Sequence, residues 1–221
     1  MKKYLLLVIG VLTSFVSNAA FIPFGVQNDV DVDTVLNTWG WEIVYRNDYG
    51  ADGFGAGTSL SAVFSGLDSD DYVMFAALRD GSTKFEVLGA GLFGLVTSVT
   101  ATNATNLVNG VNWYYNSLSM GFAGAGDLIR QSSADINGLS ERDRLSWHTT
   151  SASGRNGGIA PDAMWGGWRA GSYTSLNGST EWDKVVLRYI GESRDVPEPA
   201  SWAMLALALF SFGYQRRKFL K

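Results

Sequence analysis

Cysteine is absent from the 221 residues, and histidine occurs once, at His148. Without cysteine there is no disulfide framework, no thiolate metal site, no iron–sulfur cluster and no thiol nucleophile. A single imidazole excludes a multi-histidine metal centre. Proline is scarce too: four in the chain, two of them at Pro197 and Pro199. Charged residues are only 17% against 46% hydrophobic, so the chain is too apolar to stay disordered and can bury a real core. Its length fits one main domain with appendages.

Positive charge is lacking where it would matter for polyanions. Six of the 17 basic residues sit at the two ends, at Lys2, Lys3, Arg216, Arg217, Lys218 and Lys221. The rest of the chain sets 11 basic residues against 21 acidic ones, a charge of about −10. Such a body lacks the clustered Lys/Arg that a phosphate backbone requires, which excludes nucleic acid as a partner. It also repels anionic lipid.

The N-terminus reads MKKYLLLVIGVLTSFVSNAA. Lys2 and Lys3 make a basic start, Tyr4 to Phe15 an apolar stretch, and Ser17 and Ala19 place small residues at −3 and −1 of a cut before Ala20. This is the pattern of a secretory signal peptide, which implies the Sec translocase and signal peptidase as first partners. Residues 1–19 are therefore read as a signal helix removed on export.

The C-terminus carries a second signal. Pro197-Glu198-Pro199 precedes an apolar run of 15 residues from Ala200 to Tyr214, and Arg216, Arg217 and Lys218 follow as a basic stop. As a helix the run spans about 22 Å, short for a bilayer core of about 30 Å. Trp202 and Tyr214 suit the two interfaces, and the basic end suits the cytoplasmic side. The prolines keep the helix from extending backwards. The three parts in this order closely resemble the PEP-CTERM sorting signal of Gram-negative bacteria, over residues 196–221. The resemblance implies recognition by an exosortase, a membrane-embedded cysteine protease-transpeptidase that cuts near the motif and sends the body to the cell surface. Such proteins are typical of bacteria that build exopolysaccharide matrices.

Between the ends, residues 20–195 lack long helical periodicity. Short alternating runs at 41–46, 59–64, 72–78, 84–88, 111–118, 144–148 and 183–190 read as strands. In the last, Val185, Leu187 and Tyr189 face one way and Lys184, Val186 and Arg188 the other. Asn-Gly pairs at Asn109, Asn137, Asn156 and Asn177 supply tight turns. Short helices are expected near 140–144 and 126–132. The fold expected is mainly β: an antiparallel sandwich or jelly-roll-like body, with the signal helix before it and a single transmembrane helix after it.

Candidate sites are few. Gly89-Ala-Gly91-Leu-Phe-Gly94 matches a dinucleotide fingerprint, but residues 95–126 hold no acidic residue to meet a ribose, so it reads as a glycine-bulged strand. Asp68, Asp70 and Asp71, with Asp29, Asp31 and Asp33, offer oxygen ligands to calcium, yet neither run has the glycine and glutamate of an EF-hand loop. No other cofactor is expected. His148 would need Asp143 or Asp162 to orient it for catalysis; no G-x-S-x-G accompanies it, and a hydrogen-bonded strand histidine is the default.

Trp165, Trp168, Arg169 and Tyr173, spaced by glycines, form a candidate stacking platform for sugar rings, weighed against a packed sheet edge. The stretch from Arg144 to Trp182 resembles uncharacterised PEP-CTERM proteins. Gly166-Gly167-Trp168 followed by Leu176-Asn177-Gly178 is similar to the late part of fibrinogen-like lectin domains, although those hold a disulfide there. The sequence thus describes an exported surface or matrix protein, structural, adhesive or weakly carbohydrate-binding, associated with exopolysaccharide and without an evident catalytic constellation. The alternative is a secreted polysaccharide-acting hydrolase.

Overall fold

The structure is a computed structural model and describes residues 21–50, 58–101, 103–129, 141–149 and 163–191. The signal segment, the sorting tail and the Asn137 and Asn156 turns lie outside these residues. In chain order the strands are β1 (Gln27–Asp31), β2 (Trp41–Asp48), β3 (Thr58–Ser59), β4 (Tyr72–Arg79), β5 (Lys84–Leu92), β6 (Asn106–Val108), β7 (Val111–Tyr115), β8 (Ser119–Gly124), β9 (Leu145–His148), β10 (Ala163–Ala170), β11 (Tyr173–Thr174) and β12 (Trp182–Tyr189). Two single-turn helices, α1 (Leu60–Val63) and α2 (Phe93–Val96), a π-turn at Thr34–Thr38 and a 3-10 turn at Glu141–Asp143 complete the described elements.

Two antiparallel sheets result. The first has the order β1-β5-β4-β12-β2. The second runs β11-β10-β9-β8-β7-β6, with β3 added beside β10. They pack face to face, as expected of a sandwich. Val73, Phe75, Ala77, Val87 and Val186 of the first meet Trp113, Met120, Phe122, Leu145, Trp147 and Met164 of the second in one buried cluster. Phe75 is its centre, with Trp113 and Trp147 from the other sheet each at 5.3 Å between ring centroids. The described strands of the second sheet follow one another as a meander, so the connectivity there is not the interleaved double Greek key of a jelly roll.

The alternation of β12 is observed as read. Val185 and Leu187 are buried in a second cluster on the outer face of the first sheet, with Tyr189 packed against it, while Val186 points into the inter-sheet core. That outer face is covered by the segment leading into β2: Ile22, Val32, Val35, Leu36 and Trp39 lie over Met74, Phe85, Leu88 and Leu187. The π-turn carries this cover, closed by the Trp39 N–H donating to the Thr34 carbonyl at 2.9 Å.

Residues 59–64, which alternate like a strand, do something else. Ser59 ends β3, and its hydroxyl accepts from the Ala62 N–H at 3.3 Å, capping α1. Leu60 and Val63, three apart, then fall on one buried face. The expected strand at 111–118 ends early: β7 stops at Tyr115, and residues 116–118 turn the chain into β8. The expected helical turn at 140–144 is the 3-10 turn at Glu141–Asp143; of the helix expected at 126–132, residues 126–129 carry none and 130–132 lie outside the described residues. Asn109 and Gly110, with φ of 51° and 75°, form the β6–β7 turn that only such residues make without strain. Gly89 sits under the Phe122 ring and Gly91 against Val96, so the glycine run of β5 serves sheet packing.

Candidate functional site

The four residues of the expected aromatic platform separate in the structure. β10 is irregular, with register shifts between Trp165 and Gly167 and between Gly167 and Arg169. Gly166 adopts a φ of +53°, and a Cβ on Gly167 would sit 2.5 Å from the Tyr49 ring. These glycines admit a tyrosine and a bulge; they do not leave the Trp165 face open. Trp165 is 1% exposed and stacks on His148, ring centroids 4.7 Å apart. Arg169 is also buried, and Trp168 is half-buried. Tyr173 alone is exposed, at 44%. Its ring leans on Trp182 at 4.8 Å. Of the seven body tryptophans, five are buried, so most of the aromatic surplus is core.

The floor beneath β10 is polar and closed. The Trp147 indole donates to the Tyr49 hydroxyl at 2.9 Å, and that hydroxyl donates to the Arg169 carbonyl at 3.2 Å. Burial holds the Tyr49 phenol well above the usual tyrosine range, so it stays a neutral donor. On the outer face of the second sheet Arg144 is fully buried, ion-paired to Asp127 at 3.1 Å and donating to the Leu128 carbonyl at 2.9 Å.

His148 has a hydrogen bond of 2.8 Å between its Nε2 and the Asn177 side-chain oxygen. Asp143 accepts instead from Asn28 at 2.6 Å, and Asp162 lies outside the described residues. The histidine is a bonded strand residue. In the acidic loop, Asp71 accepts from the Asp68 N–H at 2.8 Å and shapes a turn. Asp29 pairs with Arg142. Among the described residues no three His, Asp or Glu side chains converge where a metal ion could be held.

An open cleft of about 550 Å³ lies at the tip of the β4–β5 hairpin. Arg79, Asp80, Lys84, Glu86, Tyr173 and Glu181 line it. Glu86 reaches it because β5 bulges: Val87 pairs with Ala77 and Phe85 with Leu78, leaving Glu86 as the extra residue. Partial burial, then the nearby Asp29, raise the Glu86 carboxyl above the usual range. A second open cleft, of about 580 Å³, lies on the other side of the hairpin tip and shares Arg79, Gly81 and Ser82 with the first. Apart from Tyr173, no residue of the first cleft stands out in the sequence. The β4–β5 hairpin and the start of β12 meet there through strand pairing, and β11 of the other sheet joins them through the Tyr173–Trp182 ring contact.

The fold defines an antiparallel β-sandwich with a polar, aromatic-edged cleft at one end. The tail places it further: residues 195–218 match the PEP-CTERM protein-sorting motif, and the chain carries that motif in addition to its β-rich body. The motif implies an exosortase as processing partner and a secreted, membrane-anchored precursor processed for the cell surface. No curated protein and no solved structure matches the chain. The likeness of residues 166–178 to fibrinogen-like lectins therefore rests on those residues alone. No helix among the described residues is long and apolar enough to cross a membrane. The apolar run 200–214 lies outside them.

Proposed function

We propose that this chain is a non-enzymatic surface or matrix component, delivered by an exosortase, whose body binds polysaccharide weakly through the Tyr173 cleft. The observation that carries the delivery is the sorting motif at 195–218. Support for the binding comes from one exposed ring beside Arg79, Lys84, Glu86 and Glu181. A ring face stacks on sugar C–H groups, and charged side chains bond hydroxyls. Trp165, Trp168 and Arg169 then act from below, as the support of the β10–β11 edge.

The mass of the mature protein from its host tests the delivery. Loss of residues 1–19 and of everything beyond the Pro197–Pro199 region is expected; a C-terminus intact through Lys221 would make the tail a simple anchor. For the binding, Tyr173→Ala should reduce retention on the host's exopolysaccharide at least fivefold, and unchanged retention removes the cleft.

A hydrolase is the second reading. It is favoured by the raised carboxyl of Glu86 sharing a cleft with Glu181, since glycoside hydrolysis pairs a protonated acid with an ionised one. Against it, Glu181 is engaged with Arg79 at 3.5 Å. Release of reducing ends that disappears in Glu86→Gln would establish this reading over the first.

A further inference from the structure

The two ends of the described body meet at one place. The Trp41 indole donates to the Phe21 carbonyl at 3.1 Å. Next to Trp41, the Gly40 carbonyl accepts from the Ile190 N–H at 2.9 Å and from the Gly191 N–H at 3.0 Å. Tyr189 closes the group by packing edge-on against Trp41, ring centroids 5.3 Å apart. The clip depends on its glycines. Gly40 has a φ of +80°, and a Cβ there would lie 3.3 Å from the Gly191 Cα. A side chain on Gly191 would collide with the Tyr189 ring.

This end is distinct from the end that carries the cleft. β12 enters beside Arg79 and leaves beside Val73, and its eight residues separate the two ends by about 23 Å. The clip end exposes apolar side chains: Phe21 is 45% exposed, Ile190 51%, and the half-buried Trp39 lies against Phe21 at 4.6 Å. Asp68, Asp70 and Asp71 lead into β4 at the same end, so any attraction to a bilayer there is apolar and interfacial, not electrostatic.

Both processing signals are close by. Phe21 is two residues from Ala19, a reach of about 7 Å, and Gly191 is six residues from Pro197, a reach of about 20 Å. We infer that in the precursor the end formed by Phe21, Trp39 and Ile190 rests on the bilayer, and that the Gly40–Gly191 clip sets the length of tail an exosortase can reach. The cleft then points away from the membrane. This inference rests on the sorting reading.

Lack of native cysteine makes the test direct. Full-length Ile190→Cys and Thr83→Cys, each bearing a nitrobenzoxadiazole probe, are reconstituted in phosphatidylethanolamine–phosphatidylglycerol vesicles with spin-labelled lipid chains. Quenching at 190 at least threefold that at 83 is expected; equal or reversed quenching overturns the inference. In the host, deleting residues 192–194 should slow tail removal at least tenfold, and adding Gly191→Val, which opens the clip, should restore it. Removal at the wild-type rate despite the deletion, or no rescue by Gly191→Val, overturns the clip's role. A wild-type tail that is never removed instead overturns the sorting reading, which separates the two failures.

Discussion

The outer face of the first sheet is apolar throughout, and that of the second buries charged and polar groups beside a small apolar cluster of Tyr114, Ala123 and Ile129. On the first, Met74, Leu78, Phe85, Leu88 and Leu187 lie under the segment that leads into β2. On the second, Arg144, Ser146, Trp165 and Arg169 are each at most 2% exposed. The two solutions differ in kind. An apolar face gains from any apolar cover of suitable volume. A buried polar face gains little net stability, because desolvation cancels most of the pairing, but only one arrangement satisfies it. The first sheet is thus the tolerant side of the molecule, and the second is the exacting one that holds the β10–β11 edge and Tyr173 in place.

What the two sheets share is the core between them, and its loss should exceed any effect on either outer face. Trp147→Ala should cost about 4 kcal/mol, since it empties a site against Phe75 and leaves the Tyr49 hydroxyl without its indole donor. Chemical denaturation checks this. A loss under about 1 kcal/mol would mean that the faces, not the shared core, hold the sandwich together.

Asp127→Ala addresses the polar face. It strands the Arg144 guanidinium in the interior and should cost about 3 kcal/mol. Replacing both partners, Arg144→Met with Asp127→Leu, should return stability to within about 1 kcal/mol of the parent. The same double variant should loosen the β10–β11 edge, read as faster amide exchange at residues 169–174. If the double variant remains as unstable as Asp127→Ala, the face is held by packing and the contrast with the first sheet dissolves.

The contrast was only half visible in the sequence. β2, β4 and β12 were legible because their alternation or continuous apolar run is local, and the sorting tail because its three parts are contiguous. The polar face was not legible: Arg144 and Arg169 look like solvated charges until strand pairing places them on a covered face. Gly166 and Gly167 read as spacers between open rings, but a partner 118 residues earlier, Tyr49, explains the bare backbone at Gly167. Glu86 reaches the cleft through a bulge that no residue type announces. Ser59 misled because a two-residue strand followed by a capped turn shares its spacing with a longer strand.

On the apolar side, Trp41→Phe keeps most of the ring in the cluster and removes the indole donor to the Phe21 carbonyl. A cost of about 1 kcal/mol is expected, the value of one partly buried hydrogen bond. Proteolysis should become faster near residue 21 with the rest of the body intact. A cost near that of Asp127→Ala would make this side as exacting as the other.

The smallest effect should come from the rim, where neither sheet buries a charge fully. Glu86 is half-buried, and its carboxyl is raised first by desolvation and then by Asp29, with Arg142 and Arg79 opposing. A raised carboxyl means that the folded state holds its proton more tightly than the unfolded chain does. The folded protein therefore loses stability as pH rises from the ordinary glutamate range through the raised value. Glu86→Gln removes that loss. It should stabilise the protein at pH 7 by a few tenths of a kcal/mol, since solvent screens most of the interaction at this half-buried position on an open cleft. The gain should vanish below about pH 4, where the native glutamate is itself neutral in both states. A gain that persists at pH 3 would trace to packing of the amide. A loss at pH 7 would show that the longer-range attraction of Arg142 and Arg79 outweighs desolvation, making the cleft rim electrostatically favourable where burial alone makes it costly.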